Sequence, residues 1–391
     1  MTRLVALDIP PSPTLTEAIR DAFEKGDAVT VVDTAAPKAR QLVRLKAARP
    51  HVIRTLEGDA AFDPHAPLLE SDDRVVITTS GTTGPPQAVI HKLANLQASA
   101  TAIARRLDTK EDDHWLCALS PAYIGGLAII TRSILGGLGL TVVPRFGRDE
   151  VTSALDAGAT RTAAVTAVLS RLDLSPFRTV LLGAGPPPDK LPSNAIVTYG
   201  LTETGSGVVY DGAPLDTVEC RLISNEIMLR GPMIARRNRA GSALLDAEGW
   251  LHTGDYGSLK PDGRLVVHGR MGEMVNTGGQ LVNPAVVEDA ILGTFACEIT
   301  DVCVIGVPDP VWHEVVTAAV VSSRTITAQE LKERLADQLA RFELPRKVVA
   351  ITEVPRTETG KPRRRFLARQ LGNYHQVPVE QPDPLGRNST T

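Results

Sequence analysis

TTSGTTGPP, residues 78–86, directly follows the strand-like apolar run RVVI at 74–77. Glycine permits positive φ and close approach of the main chain, and the hydroxyls of Thr79, Ser80, Thr82 and Thr83 can donate to oxyanions. Such a loop suits a polyphosphate. It lacks the GxxxxGK[ST] spacing of a simple P-loop NTPase. Far downstream, PRTETGKPRRR at 355–365 places Lys361 between Gly360 and a basic run, where it can supply the cation that a reaction at phosphate needs.

Working outward from the loop, strand-like and helix-like runs alternate. AVTVV begins at Ala28, HWLCAL at His114, LTVV at Leu140, TVLL at Thr179 and AIVTY at Ala195, each short and apolar enough for a buried parallel sheet. Thr14 with Glu17 reads as a capping box for a first helix ending near Gly26, and the phosphate loop is followed by a helix through NLQASATAIARRL. Beyond Gly205 the texture turns to strands and turns, with EIMLRG, WLHTGDYG and PDGRLVVHGR, which predicts a β-rich subdomain. The fold class is therefore α/β: a large N-terminal domain of layered sheets and helices over residues 1–270, then a small mobile α+β domain over 271–372 that carries Lys361. MGEMVNTGGQLVNP at 271–284 reads as a glycine-bearing hinge. In the small domain, Thr327 with Glu330 reads as a second capping box, and residues 373–391, rich in Pro, Gln and Ser, as a disordered tail.

The 42 basic and 45 acidic residues give a net charge of -3, which offers no global attraction to nucleic acid or membranes. Cys117, Cys220, Cys297 and Cys303 are scattered without CxxC spacing, so neither a zinc site nor a disulfide framework is expected, and the protein reads as cytoplasmic. Residues 115–144 carry one charge, Arg132, and are long enough to suggest a membrane span. Pro121, the glycines and that arginine argue instead for strand, turn and helix, with no membrane insertion.

The motifs TTSGTTGPP, LLGAGPPP (181–188), YGLTET (199–204), WLHTGDYG (250–257), GRMGEMVNTGGQLVNPAVVE (269–288) and PRTETGKPRRR occur in the order found in acyl-adenylating enzymes. The chain resembles that superfamily of AMP-forming acyl-CoA synthetases, luciferases and adenylation domains. Taken singly, the Gly/Thr loop is a plain turn, Asp255 a turn former and Lys361 solvated surface; the ordered set favours the functional reading. The resemblance implies that Thr79, Ser80, Gly81, Thr82, Thr83 and Gly84 hold the β- and γ-phosphates of ATP. Gly183, Ala184 and Gly185 would line the adenine, and Tyr199, Gly200 and Thr202 the AMP moiety. Glu203 would bind Mg²⁺, Asp255 the ribose hydroxyls with Arg270 close by, and Lys361 would stand between the substrate carboxylate and the α-phosphate. A two-step cycle is implied, in which the small domain turns at the hinge acid Glu273 and presents Gly278 and Gly279 to a tunnel for coenzyme A. A homodimer is implied by resemblance alone.

The chain is short for the superfamily and is similar to o-succinylbenzoate:CoA ligases of menaquinone biosynthesis, particularly short actinobacterial forms. That similarity rests on LSPAYIGGLAIITRSILGG (119–137), YGLTETGSGVVYDGAPLD (199–216) and VNTGGQLVNPAVVE (275–288). It implies a small carboxylic acid as partner and an acyl pocket at Tyr123, Gly126, Arg132, Gly205 and Ser206. A substrate with two carboxylates needs one activated and one neutralised. Arg132 is a candidate for the second task, with an internal ion pair or a snorkelling arginine as the alternative. Three departures stand out: Gln87 and Ala88 replace the lysine and glycine that usually continue the phosphate loop, Tyr123 occupies a gate position where a histidine is frequent, and Gly272 replaces a charged residue before Glu273. Another aryl or short acid, and a non-catalytic nucleotide-binding relative, remain alternative readings.

Overall fold

Strands β1 (Leu4–Leu7) and β2 (Ala28–Val31) are buried at every position, which is why both read as unbroken apolar runs. Between them lies α1 (Pro13–Glu24), capped by Ser12, whose hydroxyl accepts from the Leu15 N–H at 3.3 Å. The expected Thr14–Glu17 box does not form. Pro13, with its fixed φ and no N–H to satisfy, opens the helix two residues earlier, and Glu17 pairs with Arg20 at 2.9 Å. Helix α2 (Lys38–Ala48), β3 (Val52–Arg54), β4 (Asp59–Ala61), β5 (Asp73–Thr78) and β6 (Ala88–Lys92) complete the first layer. Its strands run in the order β6-β5-β2-β1-β3-β4. Strands β3, β1, β2 and β5 are parallel, and β6 turns back antiparallel to β5. The sequence reading passed from the phosphate loop straight to a helix; AVIHK is in fact a strand, so the loop joins two hydrogen-bonded neighbours.

The computed structural model describes residues 1–79, 86–183, 185, 190–357 and 360–373. They divide into two compact units, Met1–His268 and Gly269 onward. The expected disordered tail lies outside the described residues, apart from Asn373.

In the first unit, α3 (Leu93–Arg106), β7 (His114–Cys117), α4 (Ile124–Gly136), β8 (Gly139–Val142), α5 (Arg148–Asp156), β9 (Arg161–Val165), α6 (Thr166–Leu169) and β10 (Thr179–Gly183) follow in turn. Next come β11 (Ala195–Leu201), β12 (Ser206–Tyr210) and β13 (Ala213–Pro214). They build a second sheet in the order β13-β12-β11-β10-β9-β7-β8. Pairing is parallel from β8 to β11 and antiparallel at β12 and β13. β11 is half-buried rather than buried. The apolar stretch at 115–144 is strand, helix and strand as expected, and among the described residues no helix is long and apolar enough to cross a membrane. A third sheet, β14 (Glu219–Ile223), β15 (Glu226–Arg230), β17 (Leu251–Leu259) and β18 (Leu265–Arg270), is the β-rich subdomain. The intervening β16 (Arg237–Asn238) returns to the first sheet beside β6.

In the second unit, a 3-10 turn (Met271–Glu273) precedes β19 (Val275–Thr277) and β20 (Gln280–Val282). The segment read as a hinge is thus largely a hairpin, with Gly278 and Gly279 at φ 59° and 82° forming its turn. Helix α7 (Pro284–Thr294), the long hairpin β21 (Ile299–Asp309) and β22 (His313–Ser322), α8 (Ala328–Leu335), β23 (Lys347–Ala350) and α9 (Arg364–Asn373) complete an α+β unit around Ile291, Phe295, Val304 and Leu331. Thr327 caps α8 by accepting from the Glu330 N–H, but the Glu330 carboxylate pairs with Arg324 at 2.5 Å. All four cysteines are free.

One buried charge cluster anchors the second sheet. Asp113 lies 2.8 Å from Arg161 and 3.0 Å from Arg178, and accepts from the Thr160 hydroxyl at 2.8 Å. Burial alone would raise its carboxyl; the Lys110 N–H, the Thr160 hydroxyl and Arg161 outweigh that and hold it below the usual range. Asp113→Asn is expected to lose about 3 kcal/mol in urea unfolding at pH 7, because Arg161 is left buried without its anion. Since the folded carboxyl titrates lower than the unfolded one, the gap to wild type should be full above about pH 4 and close below it.

Candidate active site

The nucleotide side of the candidate site forms where strand ends of the first unit meet. At the neck of the phosphate loop, the Thr79 N–H donates to the Gln87 carbonyl at 2.8 Å and the Gln87 N–H to the Thr79 hydroxyl at 3.1 Å. Ser80, Gly81, Thr82, Thr83, Gly84 and Ala184 lie outside the described residues. Gly183 ends β10, and Gly185 is exposed with open space where a Cβ would stand, so a flat ring can approach its backbone. On β11, an added Cβ at Gly200 would lie 2.2 Å from the Ser206 carbonyl, so only glycine allows the bulged approach of β12.

The turn after β11 is fixed through three successive carbonyls. Leu201 O accepts from the Thr204 N–H at 3.2 Å, Thr202 O from the Gly205 N–H at 3.2 Å and from His91 Nε2 at 2.8 Å, and Glu203 O from the Ala235 N–H at 2.8 Å. Thr202 and Glu203 therefore project half-buried from a held backbone. Opposite, Asp255 is buried on β17 and accepts from the Tyr199 hydroxyl at 2.6 Å. Its carboxylate can also accept from neighbouring hydroxyls of a sugar. A nucleotide-bound magnesium ion takes one or two protein carboxylates together with phosphate oxygens, which Glu203 fits. The acidic group Glu70, Asp72 and Asp73 does not: Lys92 and Arg237 already pair with it at 2.6–3.1 Å.

The acyl side gathers around α4. Its entry is tightly wound, since a Cβ at Gly126 would lie 2.5 Å from the Leu119 and Ser120 carbonyls. Arg44 on α2 clasps this entry to the phosphate loop. It donates to the Thr78 hydroxyl at 2.7 Å and the Ala122 carbonyl at 2.6 Å, and lies 4.3 Å from the Tyr123 ring centre.

Arg132 is 8% exposed and donates to the Ala128 carbonyl and the Ser206 hydroxyl, both at 2.9 Å. It does not snorkel, and among the described residues it forms no ion pair. Its guanidinium lies 5.0 Å from the Trp115 ring, and burial lowers its pKa. Trp115 Nε1 is buried without a hydrogen-bond partner among the described residues, and the Arg132 guanidinium also interacts with the buried Tyr210 hydroxyl. Arg132 and Trp115 line a pocket of about 520 Å³ with Gln97, Thr101, Ala104 and Leu135.

The other predicted residues belong to the second unit. Arg270 is exposed at the end of β18. Glu273 pairs with Arg364 at 3.4 Å, and Arg364 also pairs with Glu288. A Cβ at Gly272 would meet Arg365 Nη2 at 2.3 Å, so Arg365 occupies the room a side chain there would need. At Gly278 a Cβ would come within 2.8 Å of Trp312, whose ring carries Arg346 at 3.9 Å. Lys361 is exposed in a loop whose neck is closed by the Thr357 N–H donating to its carbonyl at 2.8 Å.

Known proteins share both the sequence pattern and this architecture. The pattern of AMP-binding enzymes matches residues 5–237, and that of the AMP-binding enzyme C-terminal domain matches 287–361. The chain belongs to the AMP-binding enzyme family. It is 31% identical over 341 residues to the 2-succinylbenzoate–CoA ligase of Bacillus cereus, covering 76% of this chain and 69% of that protein. The solved o-succinylbenzoate CoA synthetase of Bacillus subtilis, in complex with its acyl-adenylate intermediate, superposes with a TM-score of 0.81 at 24% identity, over 93% of this chain and 88% of that one. ATP-bound MatB of Rhodopseudomonas palustris reaches 0.79 at 22% identity, over 96% and 90% of the two chains. These solved proteins share the fold with this AMP-binding enzyme.

Sequence reading missed several side chains that this AMP-binding enzyme places at the site. Trp115 was read only as part of the buried apolar stretch 115–144, and neither Arg44 nor His91 was singled out. A lone polar residue in AVIHK was the available signal for His91. Tyr199→Phe, which removes the hydroxyl that orients Asp255, is expected to raise the KM for ATP on the order of tenfold while the KM for the acid changes little. Initial-rate kinetics on each substrate check this.

Proposed function

We propose that this protein is an ATP-dependent o-succinylbenzoate:CoA ligase of menaquinone biosynthesis. One carboxylate oxygen of the acid attacks the α-phosphorus of ATP, the bond to the β-phosphate oxygen breaks, and pyrophosphate leaves. The thiol sulfur of coenzyme A, its proton lost, then attacks the acyl carbon, and AMP departs with the electrons of the mixed-anhydride bond. The reading is supported most by Arg132. The Arg132 guanidinium, buried beside the Ser206 and Tyr210 hydroxyls with no carboxylate in ion-pair range among the described residues, favours an anion as its partner. An acid with a second carboxylate provides one. The ligase activity of the Bacillus cereus relative points the same way.

In this reading, residues 79–84 cradle the β- and γ-phosphates, Gly183 to Gly185 face the adenine, and Asp255, held by Tyr199, takes the ribose hydroxyls, with Arg270 assisting. Thr202 binds the α-phosphate and Glu203 carries Mg²⁺, which when bound supplies positive charge to the phosphates. Two anions must meet for the first step, and the Lys361 ammonium offsets their repulsion. Tyr123, Gly126, Gly205 and Ser206 shape the acyl pocket. The small unit turns at Glu273 between the half-reactions, and the Gly278–Gly279 turn beside Trp312 receives the thiol arm of coenzyme A. The enzyme works in the cytoplasm, where ATP and coenzyme A are available.

Incubation with ATP, Mg²⁺, coenzyme A and o-succinylbenzoate is expected to yield the monothioester by mass, with pyrophosphate released; no release with any aryl acid would remove the reading. Lys361→Ala should slow adenylation on the order of 10²-fold or more. Arg132→Met should raise the KM for o-succinylbenzoate roughly 10- to 100-fold, and leave unchanged the KM for a mono-acid lacking the non-reacting carboxylate. An unaltered KM for the di-acid would take Arg132 out of substrate recognition.

A further inference from the structure

Of the three carbonyls of the turn after β11, that of Leu201 is held within the turn by the Thr204 N–H and hydroxyl and that of Glu203 by the Ala235 N–H; the Thr202 carbonyl is also held by a side chain from another sheet. His91 sits on β6, four residues beyond the neck of the phosphate loop at Gln87, and is completely buried. Its Nε2 lies 2.8 Å from the Thr202 carbonyl oxygen. A carbonyl only accepts, so Nε2 carries the proton. The other nitrogen, Nδ1, has no hydrogen-bond partner among the described residues. It lies against Gly205, where an added Cβ would stand 3.4 Å from Nδ1 and 3.3 Å from Cε1. The ring is therefore a neutral donor with one lone pair unused, and burial, pushing its pKa down to about 4, keeps it neutral at ordinary pH.

If packing volume were all this position required, leucine would fill it without the cost of desolvating an imidazole. We infer that His91 is a positioning residue for adenylation: its Nε2–H, by holding the Thr202 carbonyl, fixes Thr202 and Glu203 relative to the strand that leaves the phosphate loop. It touches no reactant. The loop and the turn come from different sheets and must present phosphate ligands and a magnesium carboxylate at a set separation, and His91 is a single side chain that spans them. The inference rests on the reading of Glu203 as the carboxylate for ATP-bound Mg²⁺.

The test compares full-length wild type, His91→Leu and His91→Gln, since glutamine keeps an amide N–H able to reach the carbonyl. Calorimetric titration with MgATP, and with ATP in the presence of a chelator, reads binding without turnover. His91→Leu is expected to weaken MgATP on the order of tenfold, to change metal-free ATP by less than about twofold, and to raise the half-saturating Mg²⁺ in pyrophosphate release to match. His91→Gln should return MgATP affinity to within about threefold of wild type. Wild-type affinity in the leucine variant overturns the inference. Equal losses with and without Mg²⁺, not relieved by glutamine, reduce the histidine to packing and overturn it as well.

Should the leucine variant not fold, the wild-type protein decides. With ¹⁵N-labelled histidine, and His91→Gln for assignment, the spectrum should show a neutral Nε2–H ring whose signal moves on adding MgATP and not on adding ATP with chelator. A charged ring, the Nδ1–H tautomer or a static signal overturns the inference. If wild type binds MgATP but releases no pyrophosphate with o-succinylbenzoate, the substrate reading fails while the binding comparison still stands.

Discussion

The absence of a Cβ at Gly200 is the constraint on which the candidate site of the first unit depends. With any side chain there, the Ser206 carbonyl would be pushed out of the β11–β12 pairing, and the turn between the strands would lose its shape. Because the turn is so tight, Ser206 lies within reach of Arg132 on α4 while Thr202 remains within reach of His91 on β6. Tyr199, one residue earlier, reaches Asp255 on the third sheet. Side chains of three separate sheets are thereby registered on a few residues of backbone. Parallel pairing of β9, β10 and β11 adds that Gly183 and the Thr202 turn leave from the same sheet edge, the usual place for a ligand in such sheets.

Much of this was legible in the residues themselves. The alternation of apolar runs with helical segments gave the layers, and the ordered motifs singled out Asp255, Thr202 and Glu203, which lie on β17 and in the turn after β11. What could not be read were relations across sheets. Nothing local marks Arg44 as a clasp between Thr78 and Ala122, because its partners lie 34 and 78 residues away. Local rules misplaced the first helix start, since Ser12 and Pro13 together outrank Thr14 as an opening signal. The strand AVIHK was missed because five residues beside a long helix give little periodicity to weigh. Arg132 was conspicuous as a lone charge, yet its surroundings decided whether it had an internal ion pair, and those come from β7, α4 and β12.

Charge is placed in two different ways in this molecule. Asp113, Arg161 and Arg178 satisfy one another and serve the fold. Arg132 has no carboxylate partner among the described residues. With Gln87 in place of a lysine, the described ends of the phosphate loop carry no cation of their own, and the guanidinium bound there at Thr78 is that of Arg44 from α2.

The lack of a carboxylate partner for Arg132 among the described residues bears on the free enzyme. A buried guanidinium without a counter-anion raises the free energy of the native state, and an anion that pairs with it lowers that energy by an amount growing as RT ln(1 + [L]/Kd). In the proposed reading the acid is as much a folding ligand as a reactant. Protein made while its substrate is scarce would be the fraction exposed longest to proteolysis, so the supply of the acid would help set how much enzyme persists.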